Sequence, residues 1–279
     1  MYARPQTLNE AISVMTGGAL LVAGGTDVYP AHAGRPVIRD VVDVSAVAEM
    51  RTIRETKDHI VLGGALTWSR LIAAPLPPAF DALKQAAREV GSKQIQNRGT
   101  LAGNLCNASP AADGIPPLLA LDAVIELASR RGLRRMPLAS FVTGYRRTAI
   151  ARDEILSAIL VPRQAASGHS AFVKLGARRY LVISILMAAA NIELQPDGAI
   201  AAARVAIGAA SPVAVRLPAL EKDLRSLRPG TRPSSIVKPR HLEPLSPIGD
   251  VRASAAYRLD AALAIIGEAL DRAAGVSPA

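Results

Sequence analysis

Apolar and polar positions alternate along this chain in segments of changing period. Leu8, Ala11, Ile12 and Met15 recur at helical spacing. Thr7 and Glu10 stand three apart at the front, the pattern of a capping box, and Gly17-Gly18 closes the segment. Ala19–Ala23 then reads as a short buried strand running into Gly24-Gly25, with Val41–Val44 a second strand and Ile60–Gly63 a third. Strands alternating with a helix predict a small βαβ-type unit over about residues 1–55.

A second segment begins near residue 56. Ala79–Val90 has helical period, and an apolar run extends from Ile115 to Leu127. Glu126–Ala128 and Leu133–Pro137 flank Arg130-Arg131-Gly132, which predicts a hairpin with a solvated basic tip. Glu154–Val161 is another strand, stopped by Pro162. Gln164–Gly168 reads as a linker. Beyond it, Phe172–Leu175, Ile185–Leu194 and Ala203–Gly208 predict a separate antiparallel sheet, with turn chemistry at Pro196-Asp197-Gly198. Leu217–Leu227 and Arg252–Arg272 are helical by period, and the proline-rich stretch Pro229–Pro247 between them reads as irregular. No internal repeat is present.

Composition narrows the function. Half of the 279 residues are apolar, enough for a core, yet there are only one Trp, five Tyr and three Phe, so Ala, Val, Leu and Ile must build it. No apolar run has the roughly 18 residues of a membrane span; Val182–Ile192 is broken by Ser184 and Asn191. The first ten residues carry no signal-peptide stretch, which predicts a soluble, cytoplasmic protein. The single cysteine, Cys106, excludes an internal disulfide, a Cys-rich zinc site and an iron–sulfur cluster held by this chain alone. His32, His59, His169 and His241 lack metal-ligand spacing, so no metal site is expected. The net charge of +10 raises nucleic acid as a partner. However, the most basic stretch, Arg204–Arg240, contains no aromatic residue for base stacking and no reader motif, so docking or solvation is the better reading.

Two glycine-bearing loops carry the candidate chemistry. Val22-Ala23-Gly24-Gly25-Thr26-Asp27-Val28 follows a buried strand. Asn97-Arg98-Gly99-Thr100-Leu101-Ala102-Gly103-Asn104-Leu105 follows a helix. Glycine lets successive N–H groups converge on one point, a nest that suits a phosphate oxygen, and two nests could grip one pyrophosphate. Neither loop is a P-loop or a Rossmann fingerprint. Either alone also reads as a structural turn. A carboxylate beside a diphosphate is repulsive, so Asp27 reads as a backbone cap.

The second loop continues into Pro110-Ala111-Ala112-Asp113-Gly114-Ile115-Pro116-Pro117. Further along come Gly144-Tyr145-Arg146-Arg147-Thr148, Asp153-Glu154-Ile155-Leu156, Lys174-Leu175-Gly176-Ala177-Arg178-Arg179 and Asp250–Arg258. In this order, and with Ala23–Asp27 upstream, the chain resembles the FAD-binding (medium) subunit of the molybdenum hydroxylases, the family of carbon monoxide dehydrogenase, xanthine dehydrogenase and 4-hydroxybenzoyl-CoA reductase. The likeness covers nearly the whole chain.

The resemblance implies an α+β protein. Residues 1–165 would form a two-subdomain FAD-binding fold of the vanillyl-alcohol oxidase type, divided near residue 55. Residues 166–279 would form a small antiparallel sheet packed on helices. It implies non-covalent FAD, with cofactor contacts from Val22, Ala23, Gly24, Gly25, Thr26, Asp27 and Val28, the N–H groups of Gly24 to Asp27 and the Thr26 hydroxyl being on the diphosphate, and from Thr100, Gly103 and Asn104 of the second phosphate loop. The family usually has two glycines where this chain has Ala102-Gly103. Asp113 would accept hydrogen bonds from the ribose side, Leu156 would lie against the isoalloxazine, and Lys174 would place a cation near the flavin. No residue of this chain is implied as a substrate-hydroxylating catalyst. Cys106 reads as a small buried hydrophobe. The molybdenum cofactor would belong to a large partner subunit and two [2Fe–2S] clusters to a small one, in a dimer of heterotrimers. The FAD subunit would collect their electrons for an external acceptor. A stand-alone FAD-dependent oxidoreductase and a non-enzymatic basic binding module remain alternatives.

Overall fold

The computed structural model describes residues 1–276, so the last three residues of the expected C-terminal segment lie outside it. The chain begins with β1 (Tyr2–Ala3), α1 (Leu8–Val14), β2 (Leu20–Val22), α2 (Val28–Ala31) and β3 (Val41–Asp43). Thr7 caps α1, its hydroxyl accepting from the Glu10 N–H, while a Glu10 carboxylate oxygen accepts from the Gln6 N–H. The three strands form a parallel sheet in the order β1-β3-β2. Ala11, Met15, Val42, Val44 and Met50 fill its core.

The next strands are β4 (Ile53–Glu55) and β5 (His59–Gly63), followed by α3 (Trp68–Ala73), α4 (Asp81–Glu89), α5 (Lys93–Arg98), α6 (Leu101–Asn107) and α7 (Ile115–Ala120). The chain returns through β6 (Val124–Ser129), β7 (Gly132–Pro137), α8 (Leu138–Phe141), the small hairpin β8 (Val142–Gly144) and β9 (Arg147–Thr148), and β10 (Ile155–Pro162). The antiparallel sheet has the order β4-β5-β10-β6-β7. Ile60–Gly63 is part of this sheet, as the boundary near residue 55 requires. The apolar run from Ile115 divides at Asp122, whose positive φ turns helix α7 into strand β6. The hairpin β6–β7 has the expected arginine tip, but Arg131 is tied down by Asp153 and Arg134 by Glu154.

The remainder comprises β11 (His169–Leu175), β12 (Leu186–Leu194), β13 (Ile200–Gly208), β14 (Val215–Arg216), α9 (Pro218–Arg225) and α10 (Ala255–Ala273). Its four strands are antiparallel and lie in chain order. Side chains alternate across a strand, and here both faces are covered. Phe172, Met187 and Ala189 pack with Ala82, Ala86 and Ala120 of α4 and α7. Ala171, Val173, Leu186, Ala188 and Ala190 face the other way, toward α9 and α10. The small alanines of β12 let helices approach from both sides. Asn191, on the α7 face, donates to the carbonyls of Ala120 and Ala165 and joins the sheet to the preceding domain.

The proline-rich stretch holds two single turns, Pro233–Ile236 and Pro239–Leu242. Its ordering surface is the protein's own: Asp271 of α10 accepts from Arg232 and from the Ser234 N–H, and buried His241 reaches Asp223 of α9.

Candidate functional site

The two glycine loops meet. A Cβ on Gly24 would lie 1.9 Å from the Arg98 carbonyl oxygen, so only a hydrogen fits between them. Thr67 and Thr100 form an isolated antiparallel bridge beside this contact, and the Trp68 N–H donates to the Gly99 carbonyl. The result is a cavity of about 400 Å³ between the parallel sheet and the larger antiparallel one.

Ala23, Gly24, Gly25, Thr26, Asp27 and Val28 line one side of it. Gly25 has φ +71°, a conformation in which glycine carries no Cβ penalty. Among the described residues, no protein group accepts a hydrogen bond from the N–H groups of Gly24, Gly25, Thr26 or Asp27. These are the free donors that an anion requires. Val22 stands apart, its side chain buried in the wall behind. Asp27 does not cap the backbone of α2, contrary to expectation. Its carboxylate instead faces Arg146, with Oδ2 3.6 Å from Nη1.

The second loop differs from the expected nest. Thr100 is the N-cap of α6, and its hydroxyl accepts from the Gly103 N–H. The N–H groups of Leu101 and Ala102 donate to the carbonyls of Leu66 and Gly64, and that of Asn104 to Thr100. These donors are used in fastening α6 to the turn before α3. The loop offers the cavity a glycine surface and the Asn104 amide, whose Oδ1 is buried with no partner. That oxygen is shielded from the cavity and lies close to Gly114, so the side of Asn104 that meets the cavity is not its acceptor.

Leu156 lines the cavity from β10, where the pairing with β6 shifts register after this residue. Pattern reading missed Met50, Trp68, Val90 and Ile95, which complete an apolar wall. Val90 and Ile95 flank the positive-φ turn at Gly91, the one local signal for them. Cys106 also lies here, partly buried on the cavity wall and not fully buried as expected, and desolvation pushes its thiol up to about 12.

Asp113 and Lys174 are brought together, but away from this cavity. Lys174 Nζ is 2.8 Å from Asp113 Oδ2, and the Ser184 hydroxyl donates to Oδ1 at 2.6 Å. Burial pushes the Asp113 carboxyl up, against the opposing pull of Lys174 and Ser184. Lys174 faces a separate groove with Arg88, Arg178, Arg179 and Arg272. Tyr180 is exposed on the same loop, with the Arg179 guanidinium 5.4 Å from its ring centre.

Residues 1–164 match the model of the FAD binding domain in molybdopterin dehydrogenase, and residues 171–273 that of the CO dehydrogenase flavoprotein C-terminal domain. The chain belongs to this family of molybdopterin dehydrogenase FAD subunits. The xanthine dehydrogenase FAD-binding subunit of Escherichia coli O157:H7 is 33% identical, over 92% of this chain and 90% of the relative. The nicotinate dehydrogenase FAD-subunit of Eubacterium barkeri is 34% identical over 71% and 70%. The structure of quinoline 2-oxidoreductase from Pseudomonas putida 86 superposes with TM-score 0.87 at 27% identity, covering 98% of this chain and 96% of that one. The family makes this chain an FAD-binding oxidoreductase subunit, with the α+β fold described above.

Proposed function

We propose that this chain is the electron-transfer subunit of a molybdenum-cofactor dehydrogenase complex. It would take electrons from the [2Fe–2S] clusters of a small partner and pass them to an external acceptor. A large partner would carry the molybdenum cofactor, within a dimer of heterotrimers in the cytoplasm. Residues 1–165 would be the FAD-binding domain and 166–279 a C-terminal α+β domain.

One observation carries the reading: four consecutive N–H donors, from Gly24 to Asp27, have no partner among the described residues and belong to a loop that lines a cavity shared with the second loop. They would hold the FAD diphosphate, with the Thr26 hydroxyl beside them. Asn104 would line the cavity beside the cofactor. Leu156, Val90 and Trp68 would exclude water from the apolar part. Bound FAD supplies redox chemistry that runs in one- and two-electron steps, which suits a junction between clusters and an acceptor. Asp113 and Lys174 stand behind this wall as a neutralised pair, so they would act on the cofactor through the position of β11 and of the segment before α7.

The test is the visible spectrum of the purified protein and the identity of the chains that accompany it. A flavin absorbance released by unfolding, with a large and a small subunit co-purifying, is the expected result. A colourless protein refutes the cofactor assignment. A coloured chain that turns over substrate alone would favour a stand-alone oxidoreductase.

A further inference from the structure

Arg146 occupies an unusual place. It lies in the turn of the β8–β9 hairpin with φ +50°, in the left-handed region. Its N–H donates at 2.9 Å to the carbonyl of Ala108, which is itself at φ +47° as the C-cap of α6. Thr100 of the second loop caps the other end of that helix. From this anchored backbone, the guanidinium reaches across to Asp27 of the first loop. The two partners are each 54% exposed, so the pair adds little to stability by itself. The helix C-cap and the hairpin turn fix the backbone that carries the cation, and a pair that adds little to folding leaves the guanidinium available for another task.

The free donors beside Asp27 frame that task. An anion held by the N–H groups of Gly24–Asp27 would lie next to the Asp27 carboxylate, and like charges repel. A cation fixed beside Asp27 removes this conflict and adds attraction of its own. We infer that Arg146 is a diphosphate-binding residue, a cation that compensates Asp27 and faces the charged part of the dinucleotide at the mouth of the cavity. The inference rests on the proposed placement of the diphosphate at the first loop. It also gives Asp27 a role: a carboxylate that aims the guanidinium from the far side.

The experiment is a double-mutant cycle read by FAD affinity of the full-length chain stripped of flavin. R146Q is expected to raise the Kd roughly tenfold and to flatten its dependence on salt. R146K bears the same backbone strain but keeps the charge, and should retain most of the affinity. D27N placed in the R146Q background should recover most of the loss. A Kd for R146Q within twofold of wild type overturns the inference, as does equal loss in R146K and R146Q, which would assign the effect to the turn. Absence of recovery with D27N overturns the compensation of Asp27. Failure of the wild-type chain to bind FAD is a separate outcome: it removes the proposed cofactor site and this inference with it.

Discussion

Lys174 Nζ sits 2.8 Å from Asp113 Oδ2, across the boundary between the FAD-binding domain and the C-terminal sheet. Their side chains are 7% and 8% exposed. A buried pair of this kind is expensive to break from one side, because the remaining charge is stranded. K174M should therefore destabilise the protein by about 3–5 kcal/mol, and D113N/K174M by less. Denaturant unfolding of the single and double variants measures both. Since Asp113 already offsets the ammonium charge, the flavin potential should move by less than about 30 mV in K174M. A larger shift would mean that the ammonium acts on the flavin directly.

Gly24→Ala tests the contact between the loops. The added methyl would meet the Arg98 carbonyl oxygen, so the loops must part. The expected result is loss of bound flavin, read as the ratio of visible to ultraviolet absorbance. Stability should fall by about 2 kcal/mol. G25V should also lose flavin, because its φ is positive and its side chain would strike the Tyr29 ring.

Cys106 should behave as an inert thiol. With its pKa at about 12, very little thiolate exists at pH 8. Iodoacetamide should leave the native protein unmodified over hours and label it rapidly in denaturant, as followed by mass spectrometry. Rapid labelling of the native chain would show that the cavity opens.

Asp250 sets an acid limit. Partial burial raises its carboxyl, but the N–H groups of Arg252 and Ala253, the Arg252 side chain and Arg258 outweigh this and hold it at about 2. A carboxylate held low in the folded state stabilises fully above its unfolded pKa near 4, and this stability is lost as pH falls toward 2. The contribution is on the order of 1 kcal/mol, because the pair is partly exposed. Unfolding curves from pH 5 to 2 should be less steep in pH for D250N than for wild type.

Much of the fold was legible because it is written in local periods. The capping box, the hairpin tip at Gly132 and the strands of the last sheet all follow from residues near one another in sequence. The two-residue strand Tyr2–Ala3 carries no period and exists only because β3 is there to pair with it. The first loop was legible as a tight glycine turn on a cavity wall. The second also lines the cavity, but where its donors go was not legible, because Leu101 and Ala102 give theirs to Leu66 and Gly64, more than thirty positions upstream. The same holds for Asp113 and Lys174: each is an ordinary charged residue locally, and only the packing of the last sheet on α4 and α7 brings them together. Asp27 read alone looked like a cap, since its partner Arg146 arrives from a hairpin far along the chain.

The single hydrogen of Gly24 against the Arg98 carbonyl also bears on how such a protein can be re-engineered. Neither loop is a portable cassette. A graft of the first loop into another scaffold would lack its opposing wall, and a library that varies the second loop would disturb the first through that contact. Exchange of parts between members of this family should succeed when the segments 22–28 and 97–107 travel as one unit, and chimaeras with a crossover between them should come out pale.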